Sequence, residues 1–161
     1  MPKKYIAGEA QDIETIVRLR PWIEDEWASV HGSFSNTKLI TDYNAETNIF
    51  NIQNAKHYNE CIITEGSTDA MAIHQAGYPN VVATLGAMVS QHQFTMIRKY
   101  FDSVIIFSDN DEAGQQMRRD ILEACSGKEL YTVELPDSKK DAGEMTQEEI
   151  TQTLNKKTIY I

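Results

Sequence analysis

The sequence predicts an α/β fold: a central parallel four-stranded sheet flanked by helices, with a small N-terminal extension ahead of it. Three observations carry this. From Glu60 onward, four short apolar runs rich in β-branched residues alternate with stretches of helical spacing, the pattern of βαβ units with right-handed crossovers. Each helical stretch carries start or stop signals. Three of the four apolar runs also lead into acidic residues, at the strand ends where open α/β sheets place their ligands.

Residues 1–48 form the expected extension, a small α+β cap, and residues 49–161 the main domain. Within the extension, Ile13, Ile16, Val17 and Leu19 have helical spacing, Pro21 stops it, and Trp22 and Trp27 flank the acidic Glu24-Asp25-Glu26. Ile49-Phe50-Asn51-Ile52 alternates and reads as a short strand. Cys61–Thr64 is the first main strand. Ser67 is placed to cap a helix over Thr68–Gln75, with Asp69 in its first turn and Gly77 as its stop. Val81–Leu85 is the second strand, closed by Gly86. Ser90 and Gln93 make a capping box, with Val89 and Phe94 set for a hydrophobic staple, and that helix runs to about Tyr100. Val104–Ser108 is the third strand. The next helix starts near Glu112, shows an apolar stripe of Met117, Ile121, Leu122 and Cys125, and ends at Gly127. Leu130–Leu135 is the fourth strand, stopped by Pro136. Thr146 and Glu149 make a second capping box for a helix to about Leu154, and Thr158–Ile161 reads as a last strand.

Composition excludes several classes. The chain has 161 residues, 41% of them hydrophobic, enough for one compact core. No apolar run reaches membrane-span length, and the first residues lack the apolar region of a signal peptide, so a soluble intracellular protein is expected. The two cysteines, Cys61 and Cys125, read as small core residues, and no CxxC or HExxH pattern indicates zinc. None of His31, His57, His74 and His92 has ligand-like spacing to another. The net charge of −9 argues against nucleic-acid binding over the whole surface, although a cation-bearing site would still accept it. Basic residues cluster at Arg98-Lys99, Arg118-Arg119 and Lys139-Lys140. Consecutive Arg118 and Arg119 cannot share a helix face, so one of them is read as surface charge.

The chemistry-bearing residues are carboxylates. Asp109 and Asp111 follow the third strand, Glu65 the first, and Asp141 the fourth. All carboxyl ends of a parallel sheet lie along one edge, so these acids converge there. Like charges held that close favour a cation between them, and hard oxygen ligands suit Mg2+ or Mn2+. Taken singly, each feature has a plain structural reading: a turn at Glu65-Gly66, surface acids at Asp109 and Asp111, a solvated loop at Lys139-Lys140-Asp141. Their ordered placement, one acid group per strand end, favours a site.

Glu65-Gly66 after one strand, Asp109-Asn110-Asp111-Glu112-Ala113-Gly114 after another and Lys140-Asp141-Ala142-Gly143-Glu144 after a third resemble the toprim domain. The D-x-D-x-A-G form, the Leu85-Gly86 pair and the KDxxE element are most similar to DNA primases of the DnaG and bacteriophage kind. The resemblance covers about residues 49–155. It implies a toprim, Rossmann-like fold and a Mg2+- or Mn2+-dependent nucleotidyltransferase that makes RNA primers on single-stranded DNA. On that resemblance Glu65, Asp109, Asp111 and Asp141 are the metal site, with Glu65, Asp109 and Asp111 catalytic. Gly66, Lys139 and Lys140 are the nucleotide or phosphate contacts. The implied partners are single-stranded DNA template and NTPs, with a replicative helicase or a separate zinc-binding primase subunit. The implied location is the cytoplasm of a bacterial or phage-infected cell.

The chain also departs from a complete primase. It has no zinc-binding module, and the N-terminal part carries an acidic cluster where such primases place a basic subdomain. Two other readings therefore stand beside primer synthesis: a toprim-class metal-dependent nuclease acting on DNA or RNA, and a non-catalytic toprim module in a replication complex.

Overall fold

Strands buried on both faces need helices on both sides, and helix placement here follows from the order in which the strands are laid down. The computed structural model describes residues 48–160. The cap expected over 1–48, including the helix pattern before Pro21 and the Trp22–Trp27 segment, lies outside the described residues up to residue 47.

A short helix α1 (Ile52–Ala55) leads into β1 (Glu60–Thr64), α2 (Ser67–Gln75), β2 (Val81–Ala83), α3 (Gln91–Tyr100), β3 (Ser103–Ile106), α4 (Glu112–Ala124), β4 (Glu129–Thr132), a 3-10 turn (Ala142–Glu144), α5 (Gln147–Asn155) and β5 (Thr158–Tyr160). The sheet order is β2-β1-β3-β4-β5. The four expected strands are parallel, and β5 adds a fifth, antiparallel to β4, with Tyr131 opposite Ile159. Among the described residues no helix is long and apolar enough to cross a membrane.

Alternation along the strands sends Cys61, Ile63, Val82, Val104, Ile106 and Leu130 to one face. There they form a core with Phe94 and Ile97 of α3 and Met117 and Ile121 of α4. The stripe read from the sequence is correct: Met117, Ile121 and Cys125 are buried and Leu122 packs at its margin. Helix α2 packs against β1, β2 and α5. Right-handed crossovers explain the split, because β1 leads leftward to β2 while β2 to β3 and β3 to β4 lead rightward.

Several boundaries differ from the sequence reading. Ile49–Ile52 is not a strand: Phe50 makes one antiparallel bridge to Ala83 and the chain then turns into α1. Asn51, at φ 63, breaks the extended run and donates its side-chain amide to the Val81 carbonyl at 2.8 Å. The second strand ends at Ala83, because Leu85 adopts φ 63 and its N–H turns to the Glu65 carbonyl at 2.8 Å. Helix α2 begins at Ser67 with Gly66 as its N-cap, and the buried Ser67 hydroxyl makes no hydrogen bond among the described residues. Both expected capping boxes are formed, Ser90 with Gln93 and Thr146 with Glu149.

Candidate functional site

The sheet order creates one crevice. Strands β1 and β3 are neighbours, but the chain leaves β1 toward β2 on one side and leaves β3 toward β4 on the other. Ligands of open α/β sheets bind at the carboxyl side of such a switch point. Glu65 follows β1 and Asp109 follows β3, so these two acids flank it.

The segment after β3 is held from three sides. The Phe107 N–H donates to the Ile63 carbonyl at 2.9 Å, extending the β1–β3 pairing. The Asn110 N–H donates to the Lys140 carbonyl at 2.8 Å, which brings the Asp141 loop alongside Asp109 and Asp111. Asp111 is the N-cap of α4, and its Oδ1 accepts the Gly114 N–H at 2.9 Å. Gly114 then rests directly on the Asp109 backbone. A Cβ there would lie 2.8 Å from the Asp109 carbonyl carbon and nitrogen and would strike its oxygen. The D-x-D-x-A-G pattern thus has a packing reason: only glycine lets α4 start this close to the acid pair.

Arg118, on the same helix, donates to the Ser108 hydroxyl at 3.3 Å, the Val133 carbonyl at 3.0 Å and the Glu134 carboxylate at 2.8 Å. It ties α4 to the ends of β3 and β4. Among the described residues Arg119 bonds only to Gln116, and it is exposed, so it is the surface member of the pair.

The Asp141 loop folds into the Ala142–Glu144 turn. Asp141 Oδ1 accepts the Glu144 N–H at 3.0 Å, and Glu144 Oε2 accepts the Lys140 N–H at 2.9 Å. Lys140 projects toward the acids, with its Nζ 4.0 Å from Asp111 Oδ2. Lys139 turns away, donating to the Glu144 carbonyl at 2.7 Å and pairing with Glu149 at 3.3 Å.

One acid escaped the sequence reading. Asp69, on the first turn of α2, is only 6% exposed, and its Oδ1 accepts the Gly143 N–H at 3.0 Å. Its signal was present as Glu65-Gly66-x-x-Asp69: an acid at the third helical position of a helix whose N-cap is a strand-end glycine. Gly66 makes room for it, since a Cβ there would lie 2.5 Å from Asp69 Oδ2.

The charges feel one another. Burial pushes the Asp109 carboxyl up to about 7, and Asp69, Glu65, Asp141 and Asp111 push the same way. Burial, then the neighbouring Asp141, raises Asp69 to about 6, against the pull of N–H groups from Gly143, Gly66 and Asp69 itself. Glu65 is raised by burial and by Asp111, opposed by Lys140. Among the described residues no three carboxylate, imidazole or thiolate groups stand together as a ready-made cage for a metal ion. The two findings agree, because repulsion acts well beyond the ~2.1 Å of a Mg2+–oxygen bond. A set of hard oxygen donors that is electrostatically crowded yet not closed fits an ion that keeps its waters and shares one or two carboxylates with a substrate phosphate.

The Toprim-like family profile matches residues 62–146, just over half of the chain, and spans Glu65, Asp109, Asp111 and Asp141. The chain belongs to the Toprim-like family. Its toprim domain is of the DnaG primase kind. It is 31% identical over 117 residues to the DNA primase of Aquifex aeolicus, covering 67% of this chain and 24% of that protein. It is 46% identical over 67 residues to the DNA primase of Campylobacter jejuni, covering 40% of this chain and 11% of that one. The crystal structure of the Aquifex aeolicus primase zinc-binding and RNA polymerase domains superposes with a TM-score of 0.64 at 28% identity, over 73% of this chain and 32% of that one. The chain thus spans a quarter or less of the length of these two primases.

Proposed function

We propose that the toprim domain, taken as residues 49–161 with 1–48 as an extension, is the catalytic part of a primase-like nucleotidyltransferase dependent on Mg2+ or Mn2+. The observation that carries this reading is the gathering of Glu65, Asp109, Asp111 and Asp141 at the β1–β3 switch point, where Asp109 is crowded by four other carboxylates. Crowding of that kind is unfavourable without a cation. The residues that would hold the ion are Asp109, Asp111 and Asp141, with Glu65 as a further ligand or as the acid/base. When bound, a divalent ion there would stabilise charge on the transferred phosphoryl group and would activate the attacking 3′-hydroxyl.

The chain's own residues set up that chemistry. Gly114 fixes the height of α4 above Asp109, and the Asp111 cap engages Oδ1 while Oδ2 faces Lys140. Lys140, 4.0 Å from Asp111, is placed to contact a triphosphate. Lys139 supports the same loop through Glu144 and Glu149. Gly66 serves the site by admitting Asp69 rather than by contacting phosphate alone. Single-stranded DNA and NTPs are the substrates on this reading. A helicase or a zinc-binding subunit supplies template handling, consistent with the zinc-binding domain of the Aquifex aeolicus protein, and the setting is the cytoplasm of a bacterial or phage-infected cell.

The test is primer synthesis by the full chain on single-stranded template with NTPs and Mg2+ or Mn2+, with and without an added zinc-binding domain and helicase. Oligoribonucleotides that vanish in Asp109→Ala and Asp111→Asn support the reading. No oligonucleotide under any combination, or metal-dependent cutting of the template instead, rejects it.

A further inference from the structure

Three basic residues meet at the sheet edge opposite the acids. Helices α3 and α4 run back from the carboxyl ends of the strands, so Tyr100 and Ala124 close them at the amino ends, just ahead of β3 and β4. Arg98 and Lys99 occupy the last turn of α3, and Lys128 immediately precedes β4. With Thr95 they line an open cavity of about 570 Å3, in which the described residues place no apolar side chain. Arg98 and Lys128 also both reach the buried Cys125: burial raises that thiol, and the two cations pull the other way. Asp120 and Glu123, with Val89, Phe94 and Ala124, line the neighbouring groove between α3 and α4, which Arg98 borders as well.

Cations in the last turn of a helix complement its dipole, which accounts for Arg98 and Lys99 taken singly. It does not account for Lys128, which comes from another element, nor for the aromatic ring beside them. Tyr100 is 36% exposed, and Lys99 Nζ lies 5.1 Å from its ring centroid. Among the described residues Arg98 and Lys99 form no ion pair, and Lys128 pairs with Asp102 alone, at 3.6 Å. The Asp102 side chain is 85% exposed, and a pair so open to water is weak and readily exchanged. On a chain of net charge −9, three cations around one concavity concentrate positive potential in one place.

We infer that Arg98, Lys99, Tyr100 and Lys128 form a contact for single-stranded nucleic acid, the cations meeting successive phosphates and the Tyr100 ring stacking on a base. A cationic concavity beside an exposed ring is how single strands are held without sequence readout. An acidic protein segment would be drawn by the same charges, but the cavity offers it no apolar side chain to bury against. The inference goes beyond the reading of the acid edge and does not depend on it. No carboxylate lines this cavity, and it lies at the far end of the strands, on the order of 15 Å away at ~3.3 Å per residue along β1. A strand long enough to touch both edges would be held at two points.

The test is fluorescence anisotropy of a labelled oligothymidylate of about 15 nucleotides with the full chain, in EDTA so that no divalent ion bridges it to the acids. Saturable binding with a log–log salt slope of about −2 is expected, since each neutralised single-strand phosphate contributes about −0.7. Arg98→Glu and Lys99→Glu should each weaken binding about 5-fold or more and flatten the slope by about 0.7. Tyr100→Ala should cost about 5-fold or more through lost stacking. Arg119→Glu makes the same charge change elsewhere on the surface and should cost less than about 2-fold. Glu123→Gln, which removes an acid from the groove that Arg98 borders, should tighten binding. All of these side chains are exposed, so the variants are expected to fold; Tyr100→Leu, which keeps bulk without the ring, replaces the alanine variant if that one melts early. No saturable binding by the wild type, or equal losses for Lys99→Glu and Arg119→Glu, would overturn the inference. So would poly-glutamate displacing the oligonucleotide as well as unlabelled oligothymidylate does, which would make this face a docking surface for an acidic protein. None of these outcomes bears on the metal site, which Mn2+ titration tests separately.

Discussion

Gly114→Ala isolates the packing that places Asp109. The added methyl would sit 2.8 Å from the Asp109 carbonyl carbon and nitrogen and closer still to its oxygen. Ordinary carbon contacts are ~3.5 Å, so helix α4 or the Asp109 backbone must give way by more than half an ångström. The obstacle is backbone continuous with β3, not a flexible side chain, so the cost belongs at the upper end of the ~1–3 kcal/mol of overpacking. Replacing a helical glycine by alanine returns up to ~1 kcal/mol of propensity. The net is about 2 kcal/mol of destabilisation, or about 4–8 °C in Tm for a chain of this size. The substitution keeps the Gly114 N–H that bonds Asp111, so beyond helix propensity the contact it alters first is the one with Asp109. Thermal melts paired with Mn2+ titration measure both consequences, and Mn2+ affinity should fall about 10-fold as Asp109 moves. Gly127→Ala is the control: at φ 93 with open space around its Cβ position, it carries backbone strain of ~1 kcal/mol and leaves metal binding unchanged. A Gly114→Ala protein that melts and binds Mn2+ like the wild type would refute the packing argument.

Three other outcomes are expected. Without metal, stability should fall as pH rises from about 4 to about 7. Asp109 and Asp69 are raised to about 7 and about 6 in the fold, so across that window the folded state holds more protons than the unfolded one. At ~1.4 kcal/mol per pH unit, discounted for the partial exposure of Asp109, the effect is about 1–3 kcal/mol. Urea melts at pH 5 and pH 8 check it, and Asp109→Asn should reduce the difference; a rise in stability toward pH 8 would contradict the repulsion. Arg118→Ala should cost about 1–3 kcal/mol through its bonds to Ser108, Val133 and Glu134, while Arg119→Ala stays within about 0.5 kcal/mol. Arg118→Lys should restore little of that loss, because one ammonium cannot span the three partners. Ser90→Ala should lower stability by about 1 kcal/mol in denaturant titrations, through loss of the bond its hydroxyl accepts from the Gln93 N–H.

What was legible in the sequence was what depends on local pattern. The apolar runs from Cys61, Val81 and Val104 mark parallel strands buried on both faces, the run from Leu130 marks one buried on one face and half-buried at Tyr131 and Thr132, and Ser90 and Thr146 mark helix starts because capping is a four-residue affair. Glu65, Asp109, Asp111 and Asp141 could be placed along one edge because parallel strands share their carboxyl side. Asp69 was read only as a helix-dipole acid, since the hydrogen bond it accepts from the Gly143 N–H spans 74 residues. Ser67 looked like a cap by residue type, yet it is the first helical residue and Gly66 is the N-cap. The Ile49–Ile52 alternation suggested a strand, but the left-handed Asn51 ends it after a single bridge. Lys139 and Lys140 are neighbours with the same chemistry, and only the turn geometry distinguishes the one facing Asp111 from the one facing Glu149.

The most direct test of the central claim is a Mn2+ titration of the full chain with and without a nucleoside triphosphate, for the wild type, Asp109→Ala and Asp111→Ala. An open, crowded carboxylate site predicts saturable Mn2+ binding by the wild type, tightened by the nucleotide and weakened at least 10-fold in either variant. Binding that is identical in all three proteins and indifferent to the nucleotide would contradict it.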